Sequence, residues 1–313
     1  MTQPSPLSDR RVVLAVAVLC CFLWGSAVPA LKIGYGVFGI VPSDTATLLL
    51  FAGVRFSLAG ALLLGYALAT GKPVGLDRRT LGRVSLLGLV STAGQYLFYY
   101  VGLAHSTGVK TSITTSSSTF FSAILAHWLY TNDKLTGRRL VGCLLGFAGV
   151  VAVNLSGAGL DLAFSVLGEG FILIAALLFS LGGIYGKRVS GQLDVMVMTG
   201  WQLGLGGLML AVAGLATGGH LGGFGWEGVL LLAYLAALSS AAFALWALLL
   251  KHNPVGSVAI FNCLIPVFGV SLSGLVLGES FLEWKNLVAL ALVSVGIWLA
   301  TARKDSVVGR PSP

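Results

Sequence analysis

The sequence predicts an all-α integral membrane protein of ten transmembrane helices, built as two inverted five-helix repeats. Three observations predict it. The chain of 313 residues is 56% hydrophobic and 10% charged, with a mean hydropathy of +0.92, whereas a soluble domain carries about 25% charged residues. Apolar stretches recur along its length, and a span needs about 20 such residues. One hydrophobic plan also occurs twice, 147 residues apart: Phe51-Ala52-Gly53-Val54-Arg55-Phe56 aligns with Met198-Thr199-Gly200-Trp201-Gln202-Leu203. Gly60 then falls on Gly207, and Leu135, Leu140, Val141, Leu145 and Gly149 fall on Leu282, Leu287, Val288, Leu292 and Gly296. Between these blocks a shift of one residue puts Gly108 on Gly256 and Phe120 on Phe268.

The elements follow in order. Residues 1–11 form a polar segment. Span 1 covers roughly 12–34; its apolar run is too long for a signal-peptide core and has no small-residue cleavage site, so it reads as a retained helix. Span 2, at 46–70, has Arg55 as its lone charge. A polar break at 71–83 precedes span 3, 82–104, with its aromatic run Tyr96 to Tyr100. Span 4, 107–130, is rich in hydroxyls, and span 5, 138–155, starts behind Lys134, Arg138 and Arg139. A second polar break at 155–164 separates the copies. Spans 6 to 10 run over 166–187, 195–216, 227–250, 255–277 and 285–302, and a polar tail covers 303–313. The two repeats are therefore 12–155 and 156–302.

Cations set the expected orientation, because Lys and Arg accumulate on the cytoplasmic side. With the N-terminus inside, fifteen of them lie inside: Arg10, Arg11, Lys72, Arg78, Arg79, Arg83, Lys134, Arg138, Arg139, Lys187, Arg188, Lys251, Arg303, Lys304 and Arg310. Only Lys32, Lys110 and Lys285 lie outside, together with the acids Asp44, Asp161, Glu169, Glu227, Glu279 and Glu283. Both termini are then cytoplasmic and the protein is a multi-pass protein of the cell (inner) membrane. Five spans per copy is an odd number, so the second copy enters the membrane inverted.

Several function classes drop out. The net charge of +8 sits in short runs between apolar segments rather than on one face, which argues against nucleic acid. The four histidines are scattered and no acid pair sits within a span, so no catalytic set converges and no enzyme is expected. Cys20, Cys21, Cys143 and Cys263 lie in apolar stretches without metal-ligand spacing, so neither metal nor cofactor is expected. No charge ring or filter loop points to a channel. An internal repeat in a membrane chain points instead to a transporter whose halves rock about a shared site.

Polar groups inside a span are costly and mark candidate sites. In span 4, Lys110, Thr114, Ser117 and Phe121 share one face at i, i+4, i+7 and i+11. One ammonium among hydroxyls suits a ligand with a carboxylate or phosphate, and Lys110→Ala is expected to weaken transport severely. The alternative has Lys110 snorkelling to the interface and the hydroxyls bonding back to helix carbonyls. Gln95 and Tyr99 share a face of span 3 as an aromatic wall with a polar handle. Trp24 and Pro29 in span 1, and Asn262 and Pro266 in span 9, complete the set. A proline within a span frees a carbonyl and bends the helix, which makes Pro29 and Pro266 candidate hinges.

The residues Leu23-Trp24-Gly25-Ser26, Arg55-Phe56, Tyr99-Tyr100-Val101-Gly102-Leu103 leading into Ser106-Thr107-Gly108, and Pro266-Val267-Phe268 followed by Leu277-Gly278-Glu279 resemble the EamA type of the drug/metabolite transporter superfamily. The resemblance covers about residues 11–302. It implies a central cavity lined chiefly by spans 1, 3, 4, 6, 8 and 9, with spans 5 and 10 peripheral. It implies secondary active transport of small polar organic metabolites, amino acids or related compounds, often export, with an importer or exchanger of the same fold as the alternative. It also gives Arg55 a structural or gating role, with Asp44 or Glu279 as partner. The copies depart from one another where Ser118 faces Pro266, Thr131-Asn132 faces Gly278-Glu279, and Gln202 faces Arg55. The expected partners are a small-molecule substrate and the lipid bilayer; a coupling proton or ion and a homodimer are left open.

Overall fold

The computed structural model describes residues 9–129, 136–153, 164–191, 193–222, 225–253, 260–280 and 282–301. Among these, every regular element is helical and no strand occurs. A lipid solvent offers backbone amides no partner, so an open chain must satisfy them within each segment. The polar break at 155–163 and the tail at 303–313 lie outside the described residues, as do Lys134 and Gly256.

The helices are α1 (Arg10–Val37), α2 (Thr45–Ala69), α3 (Arg78–Gly88), α4 (Gln95–Ala104), α5 (Gly108–Thr115), α6 (Ser117–Leu129), α7 (Gly137–Val153), α8 (Phe171–Ser190), α9 (Val195–Ala216), α10 (Trp226–His252), α11 (Leu264–Leu277) and α12 (Trp284–Thr301). Six stretches are long and apolar enough to cross a membrane: Arg11–Val37, Thr45–Ala69, Arg78–Ala104, Val166–Ser190, Val195–Ala216 and Trp226–Leu249. Leu264–Leu277 and Trp284–Leu299 are shorter apolar helices. Aspartates open four helices by accepting first-turn N–H groups: Asp9, Asp44, Asp77 and Asp194.

Four expected spans are not uniform α-helices. Span 3 holds a π-helical turn, Leu89–Gly94, between α3 and α4, and a second π-turn, Val166–Gly170, leads into α8. Span 4 is split at Ser116. There Ser116 N donates to Ile113 O at 3.1 Å and Thr119 N to Ser116 O at 3.1 Å, a tighter pitch than α. The hydroxyl run explains the break, since Ser112, Thr115 and Ser116 each bond the carbonyl four residues back and compete with the helix for its acceptors. In span 9, a 3-10 turn over Ile260–Cys263 gives way to α11. Pro266 has no N–H to give to Asn262 O four residues earlier, so the change of pitch falls where that bond is missing. Pro29, by contrast, lies inside an unbroken α1.

Glycines set how the bundle closes. A Cβ on Gly53 would lie 2.2 Å from Ala211 N, one on Gly60 2.3 Å from Gly204 N, and one on Gly207 2.4 Å from Ser57 N. As the α2 number rises the α9 number falls, so these helices cross antiparallel with backbones touching. A Cβ on Gly149 would meet Ala289 O at 2.8 Å, and one on Gly296 would meet Gly142 O at 2.6 Å, so α7 and α12 pack antiparallel in the same way. Without a hydrophobic drive between helices in lipid, such backbone approach is how they associate.

Candidate functional site

Between these crossings lies a cavity of about 140 Å³. Its wall comes from Trp24, Gly25, Ala27, Val28 and Leu31 of α1, Arg55 of α2, Gln95, Tyr96 and Tyr99 of α4, Ala175, Ala176 and Phe179 of α8, Phe243 and Trp246 of α10, and Asn262 and Ile265. The split helix adds Ser112, Thr115, Ser116, Ser118 and Thr119. Helices α7 and α12 contribute nothing to it.

The split and the π-turn aim these side chains. Gln95 follows the π-turn directly, and such turns shift every later side chain around the helix axis. Gln95 is 7% exposed, and its Oε1 has no hydrogen-bond partner. Trp24 stands edge-on to Trp246 at 5.1 Å and to Phe243 at 5.8 Å between ring centroids. Tyr96 lies over Phe56 at 4.1 Å. The cavity is therefore aromatic where α1, α4, α8 and α10 meet it and carries hydroxyls along the split helix.

Among the described residues, Arg55 is the one charged residue in this wall. Its Nε donates to Leu235 O at 3.3 Å and to Ser239 Oγ at 3.1 Å, and its Nη1 donates to the Tyr100 hydroxyl at 3.0 Å. The expected partners stand elsewhere. Asp44 accepts Thr47 N at 3.0 Å at the start of α2, and the Glu279 carboxylate accepts Gly108 N and Val109 N, each at 2.8 Å. The hydrogen bonds of this arginine within a span go to neutral oxygens.

The predicted residues divide. Trp24, Gln95, Tyr99 and Asn262 come together on the cavity. Thr114 and Ser117 are fully buried, carry hydroxyls without partners, and do not border it. Lys110 lines a separate, open recess of about 510 Å³ with Pro42, His105, Ser106, Thr107, Ser165 and Glu169. Its Nζ is 3.9 Å from Glu169 Oε1. Glu169, expected at the surface, is 1% exposed; it accepts Ser106 Oγ at 2.5 Å and Ser165 N at 2.8 Å. Lys32 Nζ donates to Ser106 O. With Glu279 on Gly108, the turn between α4 and α5 is held from α1, from the π-turn before α8, and from the stretch after α11. At the other end, Lys72 Nζ meets Asp194 Oδ2 at 2.8 Å and Trp201 Nε1 donates to Val74 O at 2.9 Å.

Sequence reasoning missed Arg55 as a wall residue, and Phe243, Trp246 and the Ser112, Thr115, Ser116, Thr119 face. The last four are spaced i, i+3, i+4, i+7, a signal present in the sequence, but the run is polar on every side and periodicity alone could not choose between faces.

A lipid-embedded helical bundle around a small polar and aromatic cavity belongs to the class of membrane transporters. The chain belongs to the EamA-like transporter family, which it matches over residues 11–155 and again over 166–302. It is 30% identical over 295 residues to an uncharacterized transporter of Synechocystis sp., covering 88% of this chain and 86% of that one. It is 28% identical over 291 residues to the uncharacterized inner membrane transporter YedA of Escherichia coli, covering 90% of each chain. A solved crystal structure shares its fold with a TM-score of 0.68 at 20% identity, over 93% of this chain and 97% of that one. The protein is thus a membrane transporter and not an enzyme.

Proposed function

We propose that the protein is a secondary active exporter of small polar organic metabolites that works by alternating access. The observation that carries the reading is the cavity itself, which receives side chains from both halves of the chain. The architecture we propose is ten spans in two inverted repeats, 12–155 and 156–302. The antiparallel crossings of α2 on α9 and of α7 on α12 support it, because they join the elements that the sequence repeat pairs, as a pseudo-twofold axis in the membrane plane requires. The family match over both halves supports it as well. Placement in the cell (inner) membrane with both termini cytoplasmic rests on the segregation of cations, and the name of the Escherichia coli relative agrees.

Substrate sits against Trp24, Gln95, Tyr99 and Asn262. Thr114 and Ser117 join when α5 and α6 rotate about the break at Ser116, and Lys110 acts later, on the exit path, in the open recess beside Glu169. Outward release requires the ties from Lys32, Glu169 and Glu279 to the α4–α5 turn to open; inward access requires the Lys72–Asp194 tie to open.

The test is counterflow in proteoliposomes holding the purified full chain, after a thermal-shift screen of metabolites to choose solutes, since a ligand of the native state stabilises it in proportion to concentration over Kd. Saturable exchange of a stabilising solute is expected. Stabilisation without movement of any solute overturns the transport reading.

A further inference from the structure

The cavity carries a charge that no acidic group among the described residues balances. A guanidinium stays protonated in any protein setting. Arg55 is 3% exposed, and its three acceptors, on Leu235, Ser239 and Tyr100, are neutral. The ion pairs among the described residues lie elsewhere, at Lys72–Asp194, Lys110–Glu169 and Lys285–Glu283. Among the described residues that line the cavity, none is an aspartate or glutamate. The face of Phe56, 4.8 Å from Arg55 Cζ, supplies a weak attraction only. Burying a cation without a counter-ion is costly, and in a membrane interior such a group marks function. The three bonds occupy Nε and Nη1, which leaves Nη2 without a bond where Arg55 borders the cavity.

A second polar atom is without a partner. Gln95 borders the same cavity, and its buried Oε1 lacks a donor. The site thus offers a fixed cation to an anion and an acceptor to an N–H or O–H group, beside the rings of Trp24, Phe243 and Trp246. Size narrows the choice. A cavity of about 140 Å³ is close to one of roughly 150 Å³ that holds benzene, so the ligand is small and an aromatic amino acid is too large for this state.

We propose that Arg55 is the charge-selecting residue of the transport site and that the substrate is a small α-substituted monocarboxylate. Its carboxylate lies on Arg55, the α-amino or α-hydroxyl group donates to Gln95 Oε1, and its short branched body lies against the aromatic wall. The inference rests on the transport reading of this cavity.

The test measures thermal stabilisation and Kd of the purified full chain with four compounds of one body: valine, 2-hydroxyisovalerate, isovalerate and valinamide. Valine or 2-hydroxyisovalerate is expected to bind tightest, and whichever leads identifies the amino or the hydroxy acid. Isovalerate, lacking the donor, is expected to bind about tenfold more weakly, the effect of one neutral hydrogen bond. Valinamide, lacking the carboxylate, is expected not to bind. Arg55→Gln is expected to weaken the carboxylates at least tenfold, the loss of one hydrogen bond to a charged group. Valinamide binding as well as valine overturns the proposal, as does an Arg55→Gln protein that keeps its carboxylate preference. Should that variant not fold, the four compounds on the unaltered protein decide alone. Failure of this inference is distinguishable from failure of the transport reading: solutes that exchange in vesicles without preferring carboxylates refute only the charge assignment, while carboxylates that bind but never cross refute only transport.

Discussion

The Tyr100 hydroxyl accepts a hydrogen bond from Arg55 Nη1 at 3.0 Å, and Tyr100 is itself fully buried. The same residue accepts the Tyr35 hydroxyl through its backbone carbonyl at 3.0 Å, so one tyrosine ties α1 and α2 to α4. The two bonds differ in kind, since one involves a charged donor and the other is neutral. Tyr100→Phe is expected to cost about 1.5–3 kcal/mol, because it strips an acceptor from a buried cation, and Tyr35→Phe about 1 kcal/mol. Thermal unfolding of the purified variants checks the order; equal losses would show that charge adds nothing.

At the α2–α9 crossing, two glycines that face one another differ in the room they leave. A Cβ on Gly60 would sit 2.3 Å from Gly204 N, against backbone that has no other place to go, whereas one on Gly204 would meet Gly60 Cα at an ordinary 3.9 Å. Gly60→Ala is therefore expected to destabilise by about 1–3 kcal/mol through overpacking. Gly204→Ala is expected to be neutral or to stabilise by up to about 1 kcal/mol through helix propensity. Melting temperatures of the two single variants decide it.

The Glu279 carboxylate receives the first N–H groups of α5 from Gly108 and Val109, where the helix dipole also favours negative charge. Glu279→Ala is expected to raise amide exchange at Gly108 and Val109 roughly tenfold, the effect of losing hydrogen bonds to a charged group. Glu279→Gln keeps one acceptor and is expected to fall between. Exchange measured by mass spectrometry over residues 105–112 reads this directly.

Burial pushes the Asp194 carboxyl upward, but the Lys72 ammonium and the N–H groups of Met196 and Val197 outweigh it and hold the group below the ordinary carboxylate range. A depressed folded value stabilises the native state above the unfolded value of about 3.9, and that contribution is lost as pH falls through the folded value. Asp194→Asn is expected to flatten the decline in melting temperature between about pH 5 and pH 3, and to cost up to about 1 kcal/mol at neutral pH for the partly exposed ion pair with Lys72, since asparagine keeps the helix cap. An unchanged acid limb would remove Asp194 as its source.

Lys110 sits in the open recess on the side expected to face outward, so its pull on an anion that enters from that side in counterflow is partly screened by salt. Lys110→Ala is expected to raise KM severalfold at low ionic strength and progressively less at high salt, with kcat kept. A fall in kcat independent of salt would return Lys110 to the binding site itself.

Much of the fold was legible because lipid imposes simple demands. The expected span at 195–216 is Val195–Ala216, and that at 46–70 is Thr45–Ala69. The shared glycines at 53, 60, 200 and 207 mark a crossing of backbones. The site was less legible. The face drawn through Lys110, Thr114 and Ser117 is one of several polar faces of the same run, and periodicity does not choose among them; the hydroxyls on the cavity are those of Ser112, Thr115, Ser116, Ser118 and Thr119. Likewise no local pattern tells that Arg55 turns toward Tyr100 and Ser239 rather than toward Asp44 or Glu279, because those partners are set by how distant helices meet.

The glycine crossing of α2 on α9 has a mechanical consequence. Where two backbones touch there are no side chains to interdigitate anew, so the pair can pivot but has little freedom to slide. Arg55 lies five positions before Gly60 on α2, close to that pivot and far from the moving rim. In a rocking cycle it would serve as a hub: the walls of the cavity swing past it while the cation holds nearly still, and the substrate would keep one unmoving point of attachment as its surroundings change sides.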